Sequence, residues 1–170
     1  MMEERFSFEF VEKQIRKKTF GVLSTIDKKG RPHSTGVLYG VSPPESSFAL
    51  YVIVGEDYVK TKNVRRNPNV SLVVTFPHYW VRFAPAAYVR FRGTAEILPL
   101  DDPDGQWAFQ QQRILRMAER TELSEDEAAV FIKINSEPTI FCYGLGLSLM
   151  EFRRTHTEAG YRVKIPENRR

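Results

Sequence analysis

The sequence predicts a mainly β (α+β) fold, an antiparallel barrel with helices at its periphery. Three observations carry this. About six β-rich runs follow one another, most of them joined by tight turns. Only one short helical stretch separates two central strands, so the regular βαβ alternation of a doubly wound sheet is missing. One run, residues 86–98, alternates cleanly, with Val89, Phe91, Ala95 and Ile97 on one face and Tyr88, Arg90, Arg92, Thr94 and Glu96 on the other.

Taken in order, residues 6–18 place Phe6, Phe10, Val11 and Ile15 at near-helical spacing, the mark of an amphipathic helix. The run "TFGVLSTI" (19–26), the turn "DKKG" (27–30) and the run "RPHSTGVLYGV" (31–41) make a hairpin signal. "SPPESS" (42–47) is a turn, because two prolines cannot continue a hydrogen-bonded ladder. "FALYVIV" (48–54) is apolar throughout, as expected of a strand covered on both faces. Asp57 is placed to cap a helix over residues 58–66, which Asn67-Pro68 stops. "NVSLVVTF" (69–76) and residues 86–98 are the fourth and fifth strands, and Gly93 marks a bulge or a close backbone approach. Residues 103–120 read as one helix with Trp107, Ile114, Leu115 and Ala118 toward the core. Ser124, with Glu127 after it, reads as a capping box opening a second short helix. "VFIKI" (130–134) and "TIFCYGL" (139–145) supply the last strand material.

The 170 residues fit one domain, since domains run to roughly 100–200 residues. With 42% hydrophobic and 27% charged residues the composition is globular. No apolar run approaches the ~20 residues that a bilayer requires, and the first residues lack the apolar stretch of a signal peptide; a cytoplasmic protein is expected. Cys142 is the only cysteine, which excludes an intrachain disulfide, and its apolar strand makes it a small buried hydrophobe. The net charge of +4 is uneven: beyond Met150 six arginines and lysines face three glutamates. The body, residues 1–150, is therefore close to neutral, which argues against a nucleic-acid partner. Residues 151–170 are set apart as a basic, partly ordered C-terminal extension.

His33, His78 and His156 stand far apart with no HExxH pattern, so no metal site is expected. Nucleophile-elbow, Walker and G-x-G-x-x-G motifs are all missing. Asp101, Asp102 and Asp104 sit in a Pro/Gly loop and read as solvated turn residues. What stands out is "EDYVKTKNVRRNP" (56–68). Lys60 falls in the first turn of a helix that directly follows an apolar strand. A helix N-terminus offers unpaired N–H groups and the positive end of the macrodipole, which suits a phosphate monoester. On charge alone a solvated helix face is the more common fate of such a run.

The segments "FGVLSTIDKKGRPHSTGVLYGV", "LYVIVGEDYVKTKNVRRNPNVSLVV", "YVRFRGTAEIL" and "PTIFCYGL" together resemble the pyridoxamine 5'-phosphate oxidase-like, FMN-binding split β-barrel family. The likeness is greatest to its small flavin/deazaflavin oxidoreductases and covers most of residues 15–146. Its most specific part is the K-T-[KR]-N-[LV]-R-R-[ND]-P pattern at Lys60 to Pro68, supported by G-R-P-H at Gly30 to His33. The resemblance implies a six-stranded antiparallel split β-barrel with Greek-key character, forming a homodimer with cofactor in two clefts at the interface. It implies that Lys60 contacts the cofactor phosphate and that Asn63 helps hold that end, with Thr61 and Lys62 beside them. His33, Ser34, Thr35 and Gly36 would lie along the flavin ring or ribityl chain, and Val52, Ile53 and Val54 would offer backbone groups to the ring. Tyr79, Trp80 and Arg82 are the candidates for closing the partner's cleft.

The cofactor implied is FMN, with a deazaflavin coenzyme as the alternative; FMN is preferred because a deazaflavin's longer acidic tail needs a further basic groove. The activity implied is hydride or electron transfer to a small-molecule substrate, with no general acid or base assigned. A non-catalytic flavin carrier needs the same socket and stays open. A polyanion binder using Arg90, Arg92 and the tail is the third reading. The chain departs from its relatives in two places: Tyr58 stands where they often carry arginine, and about twenty residues follow "YGLGLSLM", counted against the usual length of small members.

Overall fold

A computed structural model of the chain describes residues 6–77, 86–124, 128–148, 150–151 and 159–170. Its first half is the predicted hairpin and what packs on it. Helix α1 (Phe8–Ile15) starts at Ser7, whose Oγ accepts the Phe10 N–H at 3.2 Å, and it buries Phe8, Val11 and Ile15. The apolar stripe is thus shifted from the expected one: Phe8 is in the core and Phe6 is exposed. Strands β1 (Phe20–Ile26) and β2 (Pro32–Leu38) pair antiparallel from Phe20↔Leu38 to Ile26↔Pro32. Their turn is fixed locally. Asp27 Oδ1 accepts the Lys29 and Arg31 N–H groups at 2.7 and 2.9 Å, and Gly30 takes φ 75°, a conformation that favours glycine. Those N–H groups and the Arg31 guanidinium hold the Asp27 carboxyl down to about 2.

The remaining strands are β3 (Gly40–Val41), β4 (Ala49–Gly55), β5 (Asn69–Phe76), β6 (Ala87–Leu98), β7 (Ala129–Ser136), β8 (Thr139–Tyr143) and β9 (Gly160–Lys164). All pair antiparallel, in the order β2-β1-β5-β6-β7-β4-β3, with β8 on β6 and β9 on β8. Nine strands are described where the sequence suggested six, and the difference has two sources. Tyr39 splits one predicted strand into β2 and β3, its ring buried and its hydroxyl donating to Ile15 O at 2.7 Å. Counting β2 and β3 as one bent strand, six strands make a ring whose last link, from β2 to β4, runs only through Tyr39 and the short β3. The second source is the β8–β9 pair. Residues 160–164, predicted as tail, alternate Tyr161 and Val163 inward with Arg162 and Lys164 outward, and they hydrogen-bond to β8.

The barrel interior is filled by Leu23, Leu50, Val52, Leu72, Val89, Phe91, Ile132 and Ile134, all fully buried. Burying side chains of this size contributes about 1.5–3 kcal/mol each. Strand β4 is apolar on both faces for the expected reason. Its other face, Ala49, Tyr51 and Ile53, lies under helices α3 (Pro103–Gln110) and α4 (Arg113–Ser124) with Ala108, Phe109 and Leu115. Gly93 allows the close approach expected of it, since a Cβ there would sit 1.9 Å from Asn135 O.

The predicted helix at 103–120 is two helices. Gln111 and Gln112 break it, and the Gln112 amide donates to Arg16 O at 2.6 Å. That break leaves Leu115 buried and Ile114 50% exposed, so Ile114 is not a core residue. Ser124 ends α4 rather than opening a new helix, and Glu127 lies outside the described residues.

The chain's last residues are held by the barrel. Arg169 is 8% exposed and donates to Ser46 O, Pro43 O and Glu12 Oε1, while its own carbonyl accepts the Phe48 N–H.

Candidate functional site

The ring of six strands is incomplete at one place, and the site follows from it. Strand β2 pairs with β1 along one edge only; β4 pairs with β7 along its length but with β3 only at Leu50 and Tyr51. Among the described residues, β2 and the second half of β4 therefore each present an edge with no ladder partner. Unpaired backbone N–H and C=O groups are obligate hydrogen-bonding groups, so such a gap is ready to take a planar polar ligand. A cleft of ≈ 140 Å³ opens there, lined by Gly36, Val37 and Leu38 of β2 and by Ile53 and Val54 of β4. Tyr58, Lys60 and Ala118 of α4 complete its lining.

Helix α2 (Val59–Arg66) begins immediately beyond β4. Its N-cap is Tyr58, which makes no side-chain capping bond, and not Asp57; that carboxylate instead pairs with Lys62 at 3.2 Å. The Tyr58 ring packs on Gly55, where a Cβ would lie only 2.7 Å from it, and Lys60 Nζ sits 5.0 Å from the ring centroid. A lysine in the first turn of a helix is thus placed at the end of the open strand edges.

The predicted site residues separate into groups. Lys60, Gly36, Ile53 and Val54 come together around the cleft. Thr61 and Asn63 point into the protein: Thr61 Oγ1 donates to Gly55 O at 2.8 Å, and Asn63, 1% exposed, donates through Nδ2 to Thr25 Oγ1 at 3.0 Å. Asn63 Oδ1 accepts from Arg66, so its amide ties α2 to β1. Lys62 is on the surface with Asp57, and Val52 is in the barrel core. Ser34 exchanges a 2.8 Å hydrogen bond with Ser24 on the outer face. His33 Nδ1 and Thr35 Oγ1, further along β2, are buried polar atoms without a hydrogen-bond partner among the described residues. Tyr79, Trp80 and Arg82 lie outside the described residues.

Val37, Leu38 and Ala118 were not singled out as cleft residues. Ala118 sits beside Leu115 in the predicted helix, and nothing local distinguishes the core-facing alanine from the cleft-facing one. Gly36 has a packing reason: a Cβ there would lie 2.9 Å from the Phe20 ring.

Other candidates carry less chemistry. A larger hollow of ≈ 210 Å³ lies between Arg16, Tyr39 and Trp107, but its polar side chains are engaged: Arg16 bonds Glu12 and Ser42 O, and Gln111 bonds Trp107 O. Burial pushes the Cys142 thiol up to about 12, so it is protonated and no nucleophile. No group of metal-ligating side chains occurs among the described residues.

The family comparison agrees with this architecture. The sequence model for pyridoxamine 5'-phosphate oxidase matches residues 8–139. The chain belongs to that family. Solved structures similar to it share its split barrel. A heme binding protein from Mycobacterium smegmatis is 15% identical with a TM-score of 0.64, over 86% of this chain and 53% of that one. This chain thus spans about half the length of that protein. The heme storage protein HutZ from Vibrio cholerae is 19% identical with a TM-score of 0.61, over 82% of this chain and 97% of that one. An FAD-binding protein from Mesorhizobium loti is 25% identical with a TM-score of 0.53, over 76% of this chain and 88% of that one. The pyridoxamine 5'-phosphate oxidase match and the curled antiparallel barrel establish the fold, and no helix among the described residues is long and apolar enough to cross a membrane.

Proposed function

We propose that this protein binds FMN in the cleft between β2 and β4 and uses it as a flavin-dependent oxidoreductase on a small molecule. One observation carries the reading: two open strand edges and Lys60 at the first turn of α2 converge on a single cleft. Lys60 and the α2 N–H groups would hold the phosphate. The edges of β2 and β4 would bond the polar rim of the ring, and Val37, Leu38 and Ile53 would keep water from its face. When bound, the flavin supplies the hydride or electron transfer itself. A deazaflavin coenzyme would use the same phosphate socket.

The cleft of ≈ 140 Å³ falls below the ~300–1,000 Å³ of whole ligand sites. It fits the phosphate and ribityl end, and a second wall is needed for the ring. We propose that a second copy of the chain supplies it in a homodimer. Support comes from large apolar side chains beside the cleft: Phe20, packed on Gly36, is 55% exposed, and Met117, next to Ala118, is 59% exposed.

The deciding experiment is the visible spectrum and mass spectrum of the purified protein, with flavin titration of Lys60→Ala. Flavin bands are expected, and the variant should lose about 1.5–3 kcal/mol of flavin affinity, the range for hydrogen bonds to charged groups. A Soret band with no flavin, or unchanged flavin affinity in the variant, would overturn the proposal. Reduction of the bound flavin by NADH or NADPH with turnover of an acceptor separates an oxidoreductase from a carrier.

A further inference from the structure

On the outer face of the sheet, away from the cleft, Arg90, Phe141 and Arg162 stand in one register row across β6, β8 and β9. Arg92 lies two positions further along the same face of β6, where the edge of that strand passes from β8 to β7. The three arginines line a hollow of ≈ 120 Å³ with Glu137, Thr139 and Phe141. Like charges placed side by side on a sheet repel, so the arrangement calls for a counter-charge. Among the described residues none of the three forms a salt bridge. Arg90 is held in place by the Phe141 ring, with its guanidinium carbon 5.1 Å from the centroid, and its Nε is buried with no hydrogen-bond partner.

We infer that this hollow is a second anion site, taking one phosphate monoester group. Guanidinium forks match the oxygens of a phosphate in pairs, which lysine cannot do. Three arginines against one glutamate leave two net positive charges around the hollow, the complement of a dianion. Its ≈ 120 Å³ leaves room for one tetrahedral group. The Thr139 hydroxyl adds a neutral donor to the lining, and Glu137 offsets part of the arginine charge.

The test uses the full chain and inorganic phosphate, titrated by calorimetry and by thermal shift against chloride at equal ionic strength. Phosphate is expected to bind saturably and raise Tm, with Arg92→Gln and Arg162→Gln each weakening it roughly tenfold or more, as loss of a charged hydrogen bond does. Arg162→Lys should lose nearly as much, because the fork and not the charge is removed. Lys60→Ala should leave this binding intact. Arg162 is exposed on β9, which among the described residues pairs only with β8, so its variants report even where the Arg92 variant folds poorly. The inference fails if phosphate stabilises no more than chloride. It fails equally if binding is lost in Lys60→Ala and kept in both glutamine variants, or if a DNA oligonucleotide binds with steep salt dependence in place of saturable phosphate binding.

Discussion

Two groups of cations, a contiguous run on α2 and a scattered set on the β6–β8–β9 face, differ in the sequence and differ again in the fold. On α2, Lys62 meets Asp57, Arg65 meets Glu56, and Arg66 bonds Asn63 Oδ1 and Lys62 O. Most of that basic run is neutralised by its own neighbourhood, and Lys60 alone among its basic residues lines the cleft. On the sheet face, Arg90, Arg92 and Arg162 come from two distant segments and converge on one hollow. A dense basic run in a sequence is therefore poor guidance to a binding site. What matters is which cations the fold brings to the lining of a cavity.

The largest expected effect separates structural from ligand-facing positions within the α2 motif. Asn63→Ala removes the bonds to Thr25 and Arg66 and leaves a buried hydroxyl short of a donor. It should cost about 2–3 kcal/mol of stability, read by urea unfolding. If stability holds and only flavin affinity falls, Asn63 belongs with Lys60 and the division within α2 is wrong. Lys60→Ala should do the opposite, weakening flavin binding roughly ten- to hundredfold while moving Tm little. At the small end, Lys62→Ala breaks an exposed pair and should change stability by less than about 1 kcal/mol and flavin affinity not measurably. A large loss of flavin affinity there would move the phosphate socket outward along the helix.

The fold was largely legible because its devices are local. Asp27, Gly30 and the alternation on either side make the first hairpin readable, and the unbroken apolar run of β4 announces burial on both faces. The misses arise where tertiary contacts decide. Tyr39 breaks a strand because its hydroxyl reaches Ile15 O, and Gln112 breaks a helix pattern by bonding Arg16 O. Strand β9 was readable in principle: "YRVKI" alternates, but its charges drew it into a basic tail.

For the site, the motif at Lys60 to Pro68 located the helix, and the geometry then divided its residues. Thr61 and Asn63 carry the same polar side chains whether they face a ligand or a buried strand. Only packing tells these apart. The arginine hollow was legible only in outline: Arg90, Arg92 and the basic tail were read together as a polyanion surface, but nothing singled out Arg162, seventy positions beyond Arg92.

The clasp around Arg169 bears on how the molecule comes apart. Its bond to Glu12 spans 157 residues, and those to Pro43 and Ser46 span 126 and 123. Contacts so distant along the chain form after the local hairpins, because loop closure must come first. We therefore expect the clasp to be absent from the folding transition state. Arg169→Ala should then speed unfolding and leave refolding nearly unchanged, a split that stopped-flow chevrons measure directly. Slower refolding in that variant would place the clasp in the nucleus instead. On this view the last turn of the chain acts as a brake on unfolding, setting the lifetime of the barrel rather than the rate at which it assembles.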